Sequence, residues 1–267
     1  MMHPPIRRGR TERAAYNPDV RIDGTGAPLV FVPGMDGTGR LFHRQVPLLA
    51  QRFRVATYAL RDDAPDMATL VADLARVLDA VAPETGAVVI GESFGGTLAL
   101  SFALAHPDRV RALVVLNSFP RFLPQIRLHL AMIGIRMMPW GAMRFVRRVT
   151  ALRLHSPHTH RSEMKYFLAQ TRVTTRRGYL GRLRILTQYD VRDRLARIEM
   201  PTLFLAADSD HLIPSVEQGT YMAARVPGAT LRVLTGHGHA CLIAPGVDLA
   251  RTIADWERET QRSLSHS

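Results

Sequence analysis

Cysteine is nearly absent: Cys241 is the single one in 267 residues. A disulfide within the chain is excluded, and so is a cysteine-rich zinc site. Lysine is equally scarce. Lys165 is the only one, so 34 of the 35 basic side chains are arginine, a skew that a GC-rich genome also produces. Long apolar runs are missing. The most apolar stretch, Leu128–Trp140, is too short for a bilayer span and is interrupted by His129, Arg136 and Pro139. Met1–Arg13 is polar and basic with no apolar run behind it. No secretory signal peptide is expected, and a cytoplasmic location is. What is present is ordinary for a globular protein: 46% hydrophobic and 22% charged residues. The length suits a single α/β unit with a full core.

A formal net charge of +12 invites a nucleic-acid reading. Its distribution weakens that reading. Residues 119–187 hold 14 basic side chains and one acid, Glu163, which is +13. The remaining chain has 21 basic and 22 acidic side chains, which is −1. No basic strand is interleaved with aromatics and no recognition motif appears, so no nucleic-acid partner is expected. The question becomes what one basic segment does.

Short apolar runs alternate with helical patterns in the first part. Leu29–Val32, Phe53–Ala59, Ala87–Ile90 and Ala112–Leu116 read as strands. Residues 40–50, Met67–Val81 and Gly95–His106 read as helices, the last two closed by Pro83 and Pro107. Strands without internal alternation, separated by helices, predict a mostly parallel sheet covered on both faces. The pattern stops near Ser118. Residues 119–187 are helical in composition, rich in Arg and Met, and contain no convincing strand. Alternation then resumes: a short helix over Val191–Ile198, a strand over Thr202–Ala206, a helix over Val216–Val226, a strand over Thr230–Leu234 and a helix over Val247–Arg262. The expected organisation is a basic arm over 1–19, a core of 20–118 and 188–262, and an inserted helical segment of 119–187.

The strongest chemical signal is Gly91-Glu92-Ser93-Phe94-Gly95. G-x-S-x-G alone is common by chance. Here a strand, Val88-Val89-Ile90, precedes it and a helix pattern, Gly96-Thr97-Leu98-Ala99-Leu100, follows it. That placement is what a nucleophile elbow requires, with Ser93 on a tight, strained turn. A serine hydroxyl needs a base, and the base needs an orienting acid. In elbow geometry they follow in the order Ser, acid, His. The candidates each lie just past a late strand: Asp208 or Asp210, then His237 or His239.

Over residues 20–262 this constellation resembles the α/β-hydrolase-fold serine hydrolases. The family pattern P-T-L-x-x-x-(G/A)-x-x-D-x-x-x-P, matched by Pro201 to Pro214 with Ala207 in place of the usual glycine, implies Asp210 as the acid. The G-H pattern before a small residue implies His239 as the base. The resemblance also implies an oxyanion hole from two backbone N–H groups. One is that of Phe94, after the nucleophile. The other comes from the loop Pro33-Gly34-Met35-Asp36-Gly37-Thr38-Gly39, where the residue after the first glycine is Met35. That loop lacks a phosphate-binding G-K-[ST] ending and the G-x-G-x-x-G order. Many relatives carry D-x-x-G-x-G-x-S after the second strand. Here the short, glycine-free Tyr58-Ala59-Leu60-Arg61-Asp62-Asp63-Ala64-Pro65 takes its place. The motifs at 33–39 and 91–96 are similar to bacterial hydrolases related to plant phytyl-ester and diacylglycerol esterase/acyltransferases. No H-x-x-x-x-D motif is present to support transfer to an alcohol.

In this family an insertion after the fourth strand read here lies over the nucleophile as a cap. This one is apolar as well as basic, and Met132, Met137, Trp140 and Met143 are expected to line a substrate pocket. A basic helical segment with an apolar face also suits an anionic membrane surface, so peripheral contact is a further expectation. His155, His158 and His160 have no acid or thiol to complete a metal site, and neither metal nor cofactor is expected. The resulting expectation is a serine hydrolase that cleaves a lipophilic carboxylic ester through an acyl-enzyme. The rival readings are acyl transfer or C–C hydrolysis with the same triad, and a non-catalytic binding protein on the same fold.

Overall fold

The computed structural model describes residues 18–122, 126–154 and 160–264. The arm expected over 1–19 lies outside them except for Pro18 and Asp19, as do His155 and His158.

The first half of the chain alternates strand and helix. Its elements are β1 (Val20–Asp23), β2 (Ala27–Val32), α1 (Val46–Leu49), β3 (Phe53–Tyr58), α2 (Met67–Val81), β4 (Ala87–Glu92), α3 (Phe94–Ala105) and β5 (Val110–Leu116). Four helices follow: α4 (Ile126–Met137), α5 (Met143–Leu154), α6 (Arg161–Thr171) and α7 (Arg176–Gln188). Then come β6 (Thr202–Ala207), α8 (Ser215–Ala223), β7 (Thr230–Leu234) and α9 (Leu249–Leu264). The strands form one sheet in the order β1-β3-β2-β4-β5-β6-β7. Every neighbouring pair is parallel except β1 with β3.

β4 is buried along its whole length, as a strand covered on both faces must be. One face of the sheet packs Val30, Val89 and Val115 against Leu74 of α2 and Leu98 of α3. The other packs Phe31, Ile90 and Leu205 against Leu49 of α1 and Ile253 of α9. Helix α2 shows why the sequence folds so. Asp66 caps its N-terminus by accepting from the Thr69 N–H at 2.8 Å. Leu70, Val71, Leu74, Val77, Leu78 and Val81 then fall on one buried face. Truncating any one of the fully buried leucines to alanine costs about 2–5 kcal/mol.

Two sequence expectations change, and one strand lies outside them. β1, a half-exposed edge strand paired antiparallel to β3 with Val20 against the core, has no continuous apolar run to mark it. The helix read over 40–50 shrinks to Val46–Leu49, with turns ahead of it and Pro47 in its first turn. The segment 191–198 is a 3-10 turn, Arg192–Arg197, rather than an α-helix.

The helices between β5 and β6 are anchored on the core mainly through α6 and α7. Glu163, the one acid of residues 119–187, accepts from Arg44 at 2.8 Å and lies 3.2 Å from His43 Nε2. Gln170 accepts from Arg40, and Thr175 donates to Asp62 at 2.7 Å. α4 packs on α7, and α5 on α6. This leaves α4 and α5 outermost. Among the described residues no helix is long and apolar enough to cross a membrane.

Candidate active site

A parallel sheet gathers the ends of its strands at one edge, where connecting loops can bring distant residues together. β4 delivers Ser93, β5 delivers Asn117, β6 delivers Asp210, and the loop after β7 delivers His239. Ser93 sits between β4 and α3 at φ 57°, ψ −120°. For a non-glycine residue that backbone costs about 1–3 kcal/mol and survives only where its surroundings enforce it. They do so here. The Ser93 N–H donates to the Leu116 carbonyl at 2.9 Å, and the Ser118 hydroxyl donates to the Ser93 carbonyl at 2.8 Å. Space for the turn comes from its glycines. A Cβ on Gly91 would strike the Gly95 carbonyl, and one on Gly95 would strike the Val32 carbonyl.

His239 Nδ1 lies 2.6 Å from Asp210 Oδ2. Burial works against the Asp210 charge. Hydrogen bonds from His239, Ser215 and the Leu212 N–H outweigh it, and the carboxyl sits below its ordinary value. The carboxylate can therefore only accept, so His239 Nδ1 carries the proton and Nε2 is left as the basic nitrogen. Asp210 is held on both oxygens. Oδ1 accepts from the Leu212 and Ile213 N–H groups at 2.8 and 3.2 Å, and Oδ2 also accepts from the Ser215 hydroxyl at 2.5 Å. Burial likewise opposes the His239 imidazolium. The hydrogen bond and charge of Asp210 overcome it and raise the imidazole above its usual 6.5.

The neighbouring candidates have other work. Asp208 Oδ1 accepts from the Gly236 N–H at 2.7 Å and ties the two late loops together. The His237 carbonyl accepts from the Ser209 N–H at 3.0 Å, while its ring rests near Gly246. Cys241 is buried, and burial pushes its thiol well above the ordinary range, so no thiolate is available there.

Ser93, His239, Gly34, Met35 and Phe94 face one cavity of about 630 Å³. Its walls are mostly apolar, with Phe119, Phe122, Phe167 and Leu186 among them. Phe94 is the first residue of α3, so its N–H has no acceptor within the helix. The Gly37 N–H donates to the Gly34 carbonyl at 3.0 Å. Because the peptide is trans, that bond turns the Met35 N–H the opposite way. Of the four side chains expected to line the pocket, Met143 does so. Met132, Met137 and Trp140 do not, which corrects that expectation. Met137 is 82% exposed at the outer end of α4, Met132 packs sideways onto the core, and Trp140 lies under the Arg176 guanidinium. A second, more polar cleft of about 870 Å³ lies across the 36–40 loop and contains neither Ser93 nor His239. Among the described residues no group of three His, Cys, Asp or Glu could hold a metal ion.

Two residues of the site are not singled out by the sequence reading. Asn117, at φ 43°, donates through Nδ2 to the His239 carbonyl at 2.7 Å and accepts on Oδ1 from the Ala207 N–H at 2.8 Å. It fastens the histidine loop to β6. Its only hint was an asparagine at a strand end, the type that tolerates positive φ. Glu92 is nearly buried beside the cavity, and among the described residues its Oε1 has no hydrogen-bond partner.

Residues 27–243 match the family model of the α/β hydrolase fold, and the chain belongs to that family. It is 32% identical over 234 residues to RutD of Azorhizobium caulinodans, a protein assigned as a carbamate hydrolase, covering 82% of this chain and 86% of that one. It is 27% identical to the pimeloyl-[acyl-carrier protein] methyl ester esterase of Chromobacterium violaceum, covering 89% of this chain and 96% of the relative. A hydrolase from Pseudomonas aeruginosa PA01 shares the fold with a TM-score of 0.80 at 24% identity, over 89% and 92% of the two chains.

Proposed function

We propose that this hydrolase cleaves a lipophilic carboxylic ester by a Ser-His-Asp acyl-enzyme mechanism. The observation that carries the reading is the His239 Nδ1–Asp210 contact of 2.6 Å behind a cavity that Ser93 also faces. Ser93 Oγ attacks the acyl carbonyl while His239 Nε2 takes its proton. Asp210 holds the tautomer and stabilises the imidazolium. The N–H groups of Met35 and Phe94 receive the developing oxyanion. His239 returns the proton to the leaving alcohol, and water repeats the sequence on the acyl-enzyme. No metal or cofactor enters any step.

The substrate class follows from the walls. A cavity lined by phenylalanine and leucine favours an apolar acyl group. In this reading α4 to α7 form its cap. Ile126, Leu130 and Ile133 of α4 and Phe145 and Val149 of α5 are all more than half exposed. Arg127, Arg136, Arg144 and Arg148 stand exposed among them, and Arg127, Ala131 and Val146 also border the cavity. An apolar face studded with arginines at a cavity mouth fits the surface of an anionic membrane. The same acyl chemistry would open a carbamate, the substrate class assigned to RutD. Comparing release from matched aryl esters and aryl carbamates separates the two.

The mechanism is tested by single-turnover cleavage of p-nitrophenyl butyrate. Wild type gives a burst of one p-nitrophenolate per chain, and Ser93→Ala gives none. An undiminished burst from Ser93→Ala contradicts the mechanism.

A further inference from the structure

An oxyanion donor stabilises charge only if it is already in place when the charge develops. Phe94 is fixed by α3. Met35 lies in a loop with no helix or strand to hold it, so the question is where that loop's carbonyls find their partners. The Gly34 carbonyl accepts from the Gly37 N–H at 3.0 Å, and the Gly37 carbonyl from the Leu60 N–H at 2.8 Å. The two between them are held by side chains of the inserted segment, from α7 and from the link between α6 and α7. The Met35 carbonyl accepts from Arg182 Nε at 2.9 Å. The Asp36 carbonyl accepts from Arg182 Nη2 at 3.3 Å and from the Thr174 hydroxyl at 2.9 Å.

Arg182 comes from α7 and is only 2% exposed. An isolated buried guanidinium costs several kcal/mol, so such a residue must be paired and enclosed. Asp62 supplies the opposite charge, its Oδ1 3.4 Å from Arg182 Nη1. The surrounding sequence leaves room for this group. A Cβ on Gly37 would stand 2.7–2.9 Å from three atoms of the guanidinium, and a Cβ on Gly178 would collide with the Asp62 carboxylate. Asp62 itself belongs to the short glycine-free stretch after β3. That departure from the usual motif puts a carboxylate where it can hold the arginine.

We propose that Arg182 is a positioning residue for the oxyanion hole, a guanidinium clamp from α7 that sets the Met35–Asp36 backbone and so the aim of the Met35 N–H. The inference rests on the serine mechanism above and adds a specific dependence on the inserted helices. One of the segment's arginines therefore serves the chemistry from inside the protein rather than the surface. Arginine is required because its planar fork donates in two directions at once. A lysine at this place can reach one carbonyl but cannot hold both.

The test uses the full chain, p-nitrophenyl butyrate and an alkyl trifluoromethyl ketone, which forms a tetrahedral oxyanion adduct with an active serine. Misplacing a catalytic donor by about 1 Å costs on the order of 100-fold. Arg182→Met is expected to lower kcat by about 10- to 100-fold. It should weaken the ketone by a similar factor and change KM less than threefold. Arg182→Lys should recover part of both losses. Thr174→Val, which removes one hydrogen bond from the Asp36 carbonyl, should show a smaller loss of the same kind. It carries the test if Arg182→Met does not fold. A merely structural anchor would lower unfolding stability and leave the ketone's affinity and kcat together at wild-type values. That result, or a loss confined to KM, overturns the proposal. Ser93→Ala is run alongside. If it retains turnover, the serine mechanism itself has failed. If it is inactive while folded Arg182→Met and Thr174→Val stay within twofold of wild type, only the clamp has failed.

Discussion

Glu92 immediately precedes Ser93 and is 8% exposed. Burial is the main reason its carboxyl is pushed up to about 8 from 4.5, with His239 opposing the rise and Asp36 and Asp210 adding to it. The consequence for stability has a definite sign. Above pH 4.5 the unfolded chain releases this proton, while the folded chain keeps it until about pH 8. Across that window the folded state binds more protons, so stability falls as pH rises and levels off above pH 8. Each pH unit inside the window costs about 1.4 kcal/mol, which amounts to about 3 kcal/mol by pH 7. Glu92→Gln has no proton to lose and should escape this slope. Urea unfolding of both chains from pH 5 to pH 9 checks it, because titrations that do not interact with Glu92 are common to the two and cancel in the difference, leaving Glu92 and its coupling to His239 and Asp210. Relative to wild type, the variant should gain about 3–4 kcal/mol between pH 5 and pH 8. A difference that stays flat within about 1 kcal/mol over that range refutes the reasoning.

Two further predictions follow from the same geometry. Burial opposes the His239 charge but is outweighed by the hydrogen bond and charge of Asp210, so the acid limb of kcat/KM should fall above pH 6.5, with activity lost as pH drops through it. Asp210→Asn should shift that limb downward and reduce kcat, and an unshifted limb in the pH–rate profile would count against the pairing. The exposed apolar face of α4 and α5 should bind vesicles containing phosphatidylglycerol, weaken as salt is raised, and lose about tenfold in affinity with Phe145→Ser. Equal binding to neutral vesicles in a sedimentation assay would contradict the role given to its arginines.

Much of this was legible in the chain itself. The apolar spacing of Leu70 to Val81, the buried run Leu29–Val32 and the strand–turn–helix around Ser93 each depend on local pattern. The fold class followed from their alternation. What stayed hidden depends on what lies opposite. β1 is a strand because β3 offers it an edge. Met137 and Met143 are the same residue type six positions apart, yet one is 82% exposed and the other lines the cavity. The difference comes from how α4 and α5 seat on α7 and α6. Arg182 looked like one more cation of a basic segment. Only the approach of α7 to the 33–39 loop distinguishes it from its exposed neighbours Arg177 and Arg184.

The charge thus divides into parts with different fates. Glu163 and Arg182 fasten the inserted helices to the core, while Arg127, Arg136, Arg144 and Arg148 face outward around an apolar surface. An acyl-enzyme on Ser93 is the claim on which the rest depends. Peptide mapping by mass spectrometry after reaction with an alkyl fluorophosphonate tests it most directly. The account predicts one adduct per chain, on the peptide containing Ser93, absent in Ser93→Ala and strongly slowed in His239→Ala. An adduct on any other residue, or undiminished labelling of Ser93→Ala, would contradict it.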